Sequence, residues 1–411
     1  MASPAPRTAT PRVARGDFTR DTDLTTPELE RLLLLTAEVK RSPGRYRAAL
    51  AGQYLGMLFE KPSLRTRVET MRTFIFGAGA SVHAGYPLAR DLGKVLVPWA
   101  GSYRQPGSEW IDPAEFSKLF PCLDDFEEII SELESPTRPE ITKLTLGKRS
   151  LLLAGVRNVI CAYFDTLGSN DAELYRRFAE DIATGGDVVI TFNYDVRLER
   201  ELRRANKWEI GNGYGFELGL SPAPPASPIT VLKLQGSTNW NDLLFGGSSG
   251  FSVVRGDSMG VRPVILPQDF AYLDYRGIRD PEFPGGRGSV DRSGSMILPG
   301  RTKVFAVETS VNPKERKLFW DSLWRQAAVG LKTATEIVVV GYSLPVADER
   351  ARKLILSKDN HAACVRICSG NDTGPIRDVL TKCGFKTVTA IPGHFEDWLC
   401  AERNPPTLDL V

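Results

Sequence analysis

A glycine-rich turn directly after an apolar, strand-like run constrains this chain more than any other feature of its sequence. The run Arg72–Phe76 leads into closely spaced small residues. Glycines at such a turn let the backbone approach a pyrophosphate, and the next helix offers N–H groups and its positive dipole end. We expect that helix to open at Gly85 and Pro87, as in a doubly wound sheet that holds a dinucleotide. The residues expected around the phosphates are Gly77, Ala78, Gly79, Ser81, Gly85 and Pro87.

Size and composition narrow the class of protein. The 411 residues suffice for one large domain or two ordinary ones, and 42% apolar residues can form a sizeable core. The formal net charge of +2 gives no strong case for nucleic acid or an anionic membrane as a partner. No apolar run reaches the roughly 18 residues of a membrane span. Residues 1–22 are predicted to be a disordered tail without a secretory signal, so a cytoplasmic location is expected.

The cysteines and histidines have no metal-binding spacing. No C-x-x-C pair occurs, so a zinc ribbon is not expected, and the cysteines suit a reducing compartment. Cys364 and Cys368 lie on an apolar run and are predicted to be buried core thiols. His83 lies inside the glycine turn, and His361 and His394 lie in predicted loops. All three histidines are expected at the surface, with a role as general base as the alternative for His83, and no metal site is predicted.

Short apolar runs alternate with helical segments along the chain. These runs predict strands at Thr73–Phe76, Asp187–Thr191, Ile229–Leu234, Glu336–Val340, Ala363–Cys368 and Lys386–Ala390. Helical spacing fills Asp112–Ala183 and Pro313–Thr333, whereas Asn239–Pro299 is rich in Gly, Ser, Asp and Pro and is predicted to be loop. The alternation predicts an α/β fold, with a Rossmann-like, mostly parallel sheet, helices on both faces and a helical insertion.

Four segments with glycine or polar residues follow predicted strands. They are Gly77–Ser81, Thr191–Asp195, Lys233–Trp240 and Gly341–Pro345. In an open α/β sheet such strand ends can converge on one crevice. The amide of Asn193 suits ribose hydroxyls or a positioned water, and Gly236 and Ser237 allow close approach beside the ribose. The contacts expected on the adenosine side are Gly341, Ser343 and Asn371, with Asp372 as an alternative to Asn371.

Together these four segments resemble the sirtuin-like NAD-binding domain over about Arg72 to Trp398. The run Gly-Tyr-Ser-Leu-Pro at 341–345 is similar to the fourth motif of a bacterial branch. The resemblance implies that residues 72–411 bind NAD or ADP-ribose, and that Asn193 handles the NAD. Some members of that family deacylate lysine, and many bacterial members cleave the nicotinamide–ribose bond as NAD-depleting effectors of antiphage defence. A homo-oligomer or a defence-system partner is compatible with this resemblance.

Two departures from the family pattern bear on the reaction. The family carries a histidine as general base where this chain has Gln235, whose amide cannot take a proton near neutral pH. The zinc ribbon of the lysine deacylases is also missing, so deacylation is not expected. Hydrolysis of NAD, with Asn193 orienting ribose and water, remains open, and so does a catalytically weak module that only binds NAD or ADP-ribose. Asp195 belongs to the expected cofactor site, although Asp195 and Asp348 also suit roles as helix caps or structural acids.

The segment before the glycine turn follows a different pattern. Residues 23–71, predicted as helix–strand–helix, are similar to the start of ornithine carbamoyltransferases through the run Phe59–Arg67. In that family this motif binds the phosphate of carbamoyl phosphate, and helix-end amides beside guanidinium groups suit such an anion. The matching residues are Ser63, Arg65, Thr66 and Arg67. The family's later motifs have no counterpart, so the alternatives are a retained anion site and a structural remnant, and a working transferase is not expected.

Overall fold

The fold centres on a parallel sheet. The structure, a computed structural model, describes residues 71–102, 112–216, 226–241, 294–300, 313–346 and 348–403, with short strands at 264–265, 273–275 and 278–279. The predicted tail 1–22 and nearly all of the predicted segment 23–71 lie outside these residues. In chain order the strands are β1 (Arg72–Phe76), β2 (Val188–Thr191), β3 (Thr230–Lys233), β4 (Gly236–Asn241), β5 (Val264–Ile265), β6 (Leu273–Tyr275), β7 (Ile278–Arg279), β8 (Gly294–Met296), β9 (Glu336–Val340), β10 (Cys364–Cys368) and β11 (Val388–Ala390).

The parallel sheet has the strand order of dinucleotide-binding folds. Its strands lie side by side as β11, β10, β9, β1, β2 and β3, and every neighbouring pair is parallel. The first strand of the sheet, β1, lies in its middle, with β2 and then β3 on one side. The later strands β9, β10 and β11 follow on the other side of β1. Ligands of such sheets bind at this switch point, outside the carboxyl ends of the strands. The predicted α/β class is confirmed, and so are the six strands predicted between Thr73 and Ala390.

Helices cover both faces of the parallel sheet. They are α1 (Leu92–Ser102), α2 (Pro113–Leu119), α3 (Phe126–Glu134), α4 (Pro139–Thr142), α5 (Leu146–Leu167), α6 (Glu173–Arg177), α7 (Arg197–Arg204), α8 (Pro313–Thr333), α9 (Glu349–Ile355), α10 (Gly374–Cys383) and α11 (Phe395–Arg403). The Thr73 hydroxyl donates to the Gly330 carbonyl of α8 at 3.0 Å. The Phe74 ring packs against Trp398 of α11. Because successive strand side chains point to opposite faces, α8 and α11 cover different faces.

The helical insertion between β1 and β2 is confirmed, but its first helix begins later than predicted. Instead of a helix at Gly85 and Pro87, three short 3₁₀ turns at Ala78–Ala80, Val82–Ala84 and Ala89–Asp91 precede α1. Gly85 ends the second turn in the left-handed region, with φ of +86°. Pro87 disfavours a helical conformation in the residue before it. The chain therefore stays irregular until residue 92.

A second, antiparallel sheet corrects the prediction of loop for Asn239–Pro299. The short strands β5, β6, β7, β4 and β8 lie side by side in this order. Strands of two or three residues are too short to show a period-two pattern, and Gly, Ser and Asp are common at their ends. The many turn-forming residues therefore led to a prediction of loop where the structure has a sheet.

Helix α5 is long and apolar enough, by length and composition, to cross a membrane. In this fold it packs in the core of the helical insertion. Val156, Val159 and Ile160 are almost fully buried there, and α5 contacts α3, α1, β4 and β8.

Candidate functional site

A cavity opens at the switch point of the parallel sheet. Its volume is about 810 Å³, within the range of about 300–1,000 Å³ that is typical of small-molecule and cofactor sites. The segments that follow β1, β2, β9 and β10 all contribute to its wall. The predicted site residues that line it are Ala78, Gly79, Ser81, Pro87, Asn193, Asp195, Gln235, Gly341 and Ser343.

Other predicted residues do not reach the cavity wall. Gly236 and Ser237 lie on β4, where the Ser237 hydroxyl is buried and donates to a backbone carbonyl at 3.3 Å. Gly85 ends a turn, and Asn371 follows β10 without bordering the cavity. Gly77 also lies behind the wall, where its carbonyl accepts a hydrogen bond from the Asn193 side chain.

Most amides of the glycine turn already donate to backbone carbonyls of the protein. The Gly77 amide donates to the end of β9, the Gly79 amide donates to the Gly341 carbonyl at 2.9 Å, and the Ser81 amide donates within the turn. The amides of these three expected phosphate-binding residues are therefore already engaged. Within the described part of the chain, the Ala78 amide has no acceptor. Ala78 thus remains the turn amide that can donate to an anion in the cavity.

Asn193 is held rigidly, with one polar atom left unpaired. Its Nδ2 donates to the Gly77 carbonyl at 2.9 Å and to the Ser81 hydroxyl at 3.0 Å. The Gly77 carbonyl can only accept, so this contact fixes which end of the amide carries the nitrogen. The Oδ1 atom is buried and has no hydrogen-bond partner among the described residues. Asn193 itself is only 8% exposed, so the cavity wall contains a buried acceptor that lacks a donor.

Ser81 connects Asn193 to a buried acid. The Ser81 hydroxyl donates to Asp195 Oδ2 at 2.7 Å and lies 2.8 Å from the Tyr175 hydroxyl. Because its one proton points to Asp195, it accepts from Tyr175 and from Asn193. Asp195 also accepts from the amide of Arg197 at 3.1 Å. These hydrogen bonds fix the Asn193 amide from behind, and Asp195 acts as a structural acid in this arrangement.

A buried ion pair supports the same segment from below. Lys233 Nζ donates to the Asp195 carbonyl at 2.5 Å and lies 2.8 Å from Glu199 Oε1. Both side chains are almost fully buried, and burial raises the pKa of Glu199. The Tyr214 hydroxyl donates to the same Glu199 oxygen at 3.4 Å. The segment after β2 is therefore anchored to β3 by charged hydrogen bonds.

His83 lines the cavity, although it was expected at the surface. Its ring packs edge-on against Tyr175 and Phe395, with centroid distances of 5.0 and 5.8 Å. Its Nδ1 lies 2.8 Å from the Ala80 carbonyl, so Nδ1 carries the proton. The Nε2 atom is buried and unpaired among the described residues. Burial lowers the pKa of His83. Both covering rings come from distant helices, which no local pattern reveals.

Aromatic rings form much of the remaining wall. Phe192 and Tyr342 stack at a centroid distance of 4.5 Å, and the Tyr342 hydroxyl donates to Asp348 at 2.8 Å. Burial, reinforced by the Asp348 charge, raises the pKa of Tyr342. Gln235 also lines the cavity, and its backbone carbonyl accepts a hydrogen bond from the Ile297 amide at 2.9 Å. Apart from their place inside motifs, no local pattern indicates that Phe192 and Tyr342 line the wall.

The two cysteines predicted as core thiols differ. Cys368 is buried at the cavity, where its thiol donates to the His394 carbonyl at 2.9 Å and burial raises its pKa to about 11. Cys364 is exposed, because it opens β10 at the opposite end of that strand. Within the described ranges, no group of three or more His, Cys, Asp or Glu side chains is arranged to hold a metal ion.

Comparisons with known proteins give short or distant similarities. No protein-family model matches the sequence. An ornithine carbamoyltransferase of Shewanella oneidensis is 42% identical over 69 residues, which are 17% of this chain and 21% of that protein. The chain therefore spans about a fifth of the curated relative that it matches. The candidate anion residues Ser63, Arg65, Thr66 and Arg67 lie outside the described residues.

Among solved structures, the chain is similar to Sir2 homologues. One is a Sir2 homologue in complex with NAD, with 14% identity, a TM-score of 0.37, and coverage of 81% of this chain and 88% of that chain. Another is a mutant Sir2 homologue in complex with 2′-O-acetyl ADP-ribose, with 15% identity, a TM-score of 0.36, and coverage of 83% and 95%.

Proposed function

We propose that this chain binds NAD in the switch-point cavity and hydrolyses the bond between nicotinamide and ribose, which releases nicotinamide and ADP-ribose. The observation that carries the proposal is the unpaired Oδ1 of Asn193. A buried acceptor without a donor costs free energy, and a ribose hydroxyl or a water can supply that donor. The cavity volume and its position at the switch point suit a dinucleotide.

Asn193 would act by orientation. Its Nδ2 is held by Gly77 and Ser81, so Oδ1 can accept from an O–H group without rotating. A water that is already oriented beside the ribose carbon loses less entropy on reaching the transition state than a free water does, which lowers the barrier. Nicotinamide leaves as a neutral base from its pyridinium form, so no acid has to protonate it. Orientation is therefore a large part of what this reaction requires.

The other contacts are assigned by position in the cavity wall. The Ala78 amide is the turn donor available to a phosphate oxygen, and Arg90 adds a positive charge to the wall. Ser343, which follows Gly341 at the end of β9, offers a hydroxyl for the adenosine half. Asp195 and Ser81 would support the site through Asn193 and would not bind the ligand directly.

Release of nicotinamide from NAD tests the proposal. Purified wild-type protein should release nicotinamide, and Asn193→Ala should release it about 100-fold more slowly, because a lost orienting contact costs catalysis of this order. Asn360→Ala is the matched control. Asn360 is also a buried asparagine, with Nδ2 bonded to the carbonyls of Leu354 and Ile355, but it lies outside the cavity. Equal loss in both variants, or no release by the wild type, would reject hydrolysis.

A catalytically weak module that only binds NAD or ADP-ribose is the second candidate. Gln235 favours it, because this cavity-lining side chain has no titratable proton. Calorimetry that detects NAD binding, together with no nicotinamide release, would support the module. Gain of release in Gln235→His would then identify the missing group, and failure of wild type and variant to bind NAD would exclude both candidates.

Two further assignments extend the proposal. NAD hydrolysis suits an NAD-depleting effector of antiphage defence, as the sequence resemblance implies, and a fall of cellular NAD during phage infection would test it.

The match to an ornithine carbamoyltransferase supports a phosphate-binding role for Ser63–Arg67. Carbamoyl phosphate should then stabilise the wild type but not Arg65→Gln, while citrulline formation from ornithine would instead indicate a working transferase.

A further inference from the structure

We infer that His83 is the general base of the proposed hydrolysis, and that its Nε2 accepts the proton of the attacking water. The inference rests on the proposed function and adds the titratable group that Gln235 cannot supply. It is carried by the position of the ring in the cavity wall, by its fixed tautomer and by the unpaired Nε2 atom.

The tautomer is set by the glycine turn itself. The Ala80 carbonyl, 2.8 Å from Nδ1, can only accept, so the Nδ1 proton is used there and Nε2 keeps its lone pair. Tyr175 and Phe395 hold the ring edge-on between them. Nε2 is cut off from bulk solvent without gaining a partner among the described residues. A ligand or water that reaches Nε2 would supply the hydrogen-bond donor that this buried acceptor lacks.

Two acids of the cavity wall, Asp195 and Asp348, already accept hydrogen bonds from protein donors. Asp195 accepts from Ser81 and from the Arg197 amide. Asp348 accepts from the Tyr342 hydroxyl. Both oxygens of the Asp195 carboxylate are therefore used by protein donors. The imidazole of His83 has no such competing role at Nε2.

Burial has a larger effect on the pKa of His83 than the charged groups around it, which act in opposite directions. From the segment after β2, Asp195 raises its pKa and Arg197 lowers it, and Asp171, in the turn before α6, raises it. The groups packed directly on the ring, Tyr175 from α6 and Phe395 from α11, are uncharged. Burial is the largest influence and lowers the pKa of His83 from 6.5. The ring is therefore neutral at pH 7 and can accept a proton.

The proposed step balances without any other reactant. The water oxygen forms a bond to the ribose carbon as the bond from that carbon to nicotinamide breaks. The electron pair of the breaking bond goes to the nicotinamide nitrogen, which becomes neutral. The water proton goes to His83 Nε2 and then to solvent. The products are nicotinamide, ADP-ribose and one proton.

Nicotinamide release by wild type, His83→Gln and His361→Gln between pH 5 and 8 tests the inference. The wild type should lose activity as the pH falls through a value below 6.5. His83→Gln should be about 100-fold slower and should lack this pH dependence, since a general base contributes about 10²–10⁴. His361 is the matched control, because its ring packs on Phe385, its Nε2 is also unpaired, and it lies outside the cavity.

The outcomes separate the inference from the proposed function. If the wild type is active and His83→Gln keeps its rate, the base is wrong and the hydrolysis stands. A wild-type rate that is flat across the same pH range overturns His83 even if the variant does not fold. An equal loss in His361→Gln assigns the effect to general destabilisation and also overturns it. Absence of release by the wild type rejects hydrolysis and, with it, the base.

Discussion

The Gly341 carbonyl accepts a hydrogen bond of 2.9 Å from the Gly79 amide and thereby ties the end of β9 to the turn after β1. Gly341 adopts φ of +62°, and a β-carbon there would lie 2.2 Å from the Ala80 nitrogen. Only glycine allows both the conformation and the approach. The contact joins the two strand ends that define the switch point, so the cavity depends on it.

Gly341→Ala should therefore widen the switch point and weaken NAD binding at least about tenfold, with a loss of about 1–3 kcal/mol in the free energy of unfolding. Calorimetry and urea unfolding measure the two effects. Gly384→Ala is the control, because Gly384 also has a positive φ, of +109°, but lies outside the cavity. NAD affinity equal in both variants would contradict this role of Gly341.

Ser81→Ala should lower both stability and activity. The change leaves the buried Asp195 oxygen and the Tyr175 hydroxyl without the Ser81 partner, at a cost of about 1–3 kcal/mol, and it releases one of the contacts that hold Asn193. Urea unfolding and nicotinamide release check the prediction. Ser237→Ala, which removes an equally buried hydroxyl outside the cavity, should keep activity. Full activity in Ser81→Ala would show that Asn193 does not need this support.

Lys233→Met should be destabilising by about 3–5 kcal/mol, because it leaves Glu199 charged and buried without its cation. Adding Glu199→Leu should recover much of this loss, since the uncompensated charge is then removed. A double-mutant cycle by urea unfolding measures the coupling between the two residues. Strictly additive losses would mean that the pair contributes little beyond its two separate environments.

His83 should make the fold sensitive to acid. Its pKa is lowered by burial in the folded state, so the unfolded chain binds its proton more readily. The stability that the neutral ring contributes is present above pH 6.5 and is lost as the pH falls below this value. The melting temperature of His83→Gln should therefore drop less than that of the wild type on acidification. An identical drop in both proteins would argue against a buried, neutral His83.

Much of the sheet could be predicted from the sequence, because its strands are short, apolar and separated by helices. Glu336–Val340 and Ala363–Cys368 are such apolar runs. A parallel strand that is buried on both faces is typically a continuous apolar run, so this pattern alone predicts it. The antiparallel strands at 264–265, 273–275 and 278–279 could not be predicted, since they consist of two or three residues each. Their pairing is decided by contacts between distant segments.

The sequence allowed us to predict which strand ends form the candidate site. It did not allow us to predict the hydrogen bonds and ring contacts that hold the side chains there. Asn193 was expected to face a ligand, whereas its orientation by Gly77 and Ser81 depends on the approach of β1 and β2. His83 was expected at the surface because local sequence gives no sign of the rings of Tyr175 and Phe395, which follow 92 and 312 residues later. Long-range packing decides such burial, and one sequence does not encode it in a local pattern.

Titration calorimetry with NAD tests the central claim most directly, because binding in the cavity is required by hydrolysis and by the binding-only alternative. The account predicts that one NAD binds per chain, that Asn193→Ala weakens the binding at least about tenfold, the equivalent of about 1.4 kcal/mol, and that Asn360→Ala leaves it unchanged. Absence of binding by the wild type, or equal affinities in all three proteins, would contradict the claim.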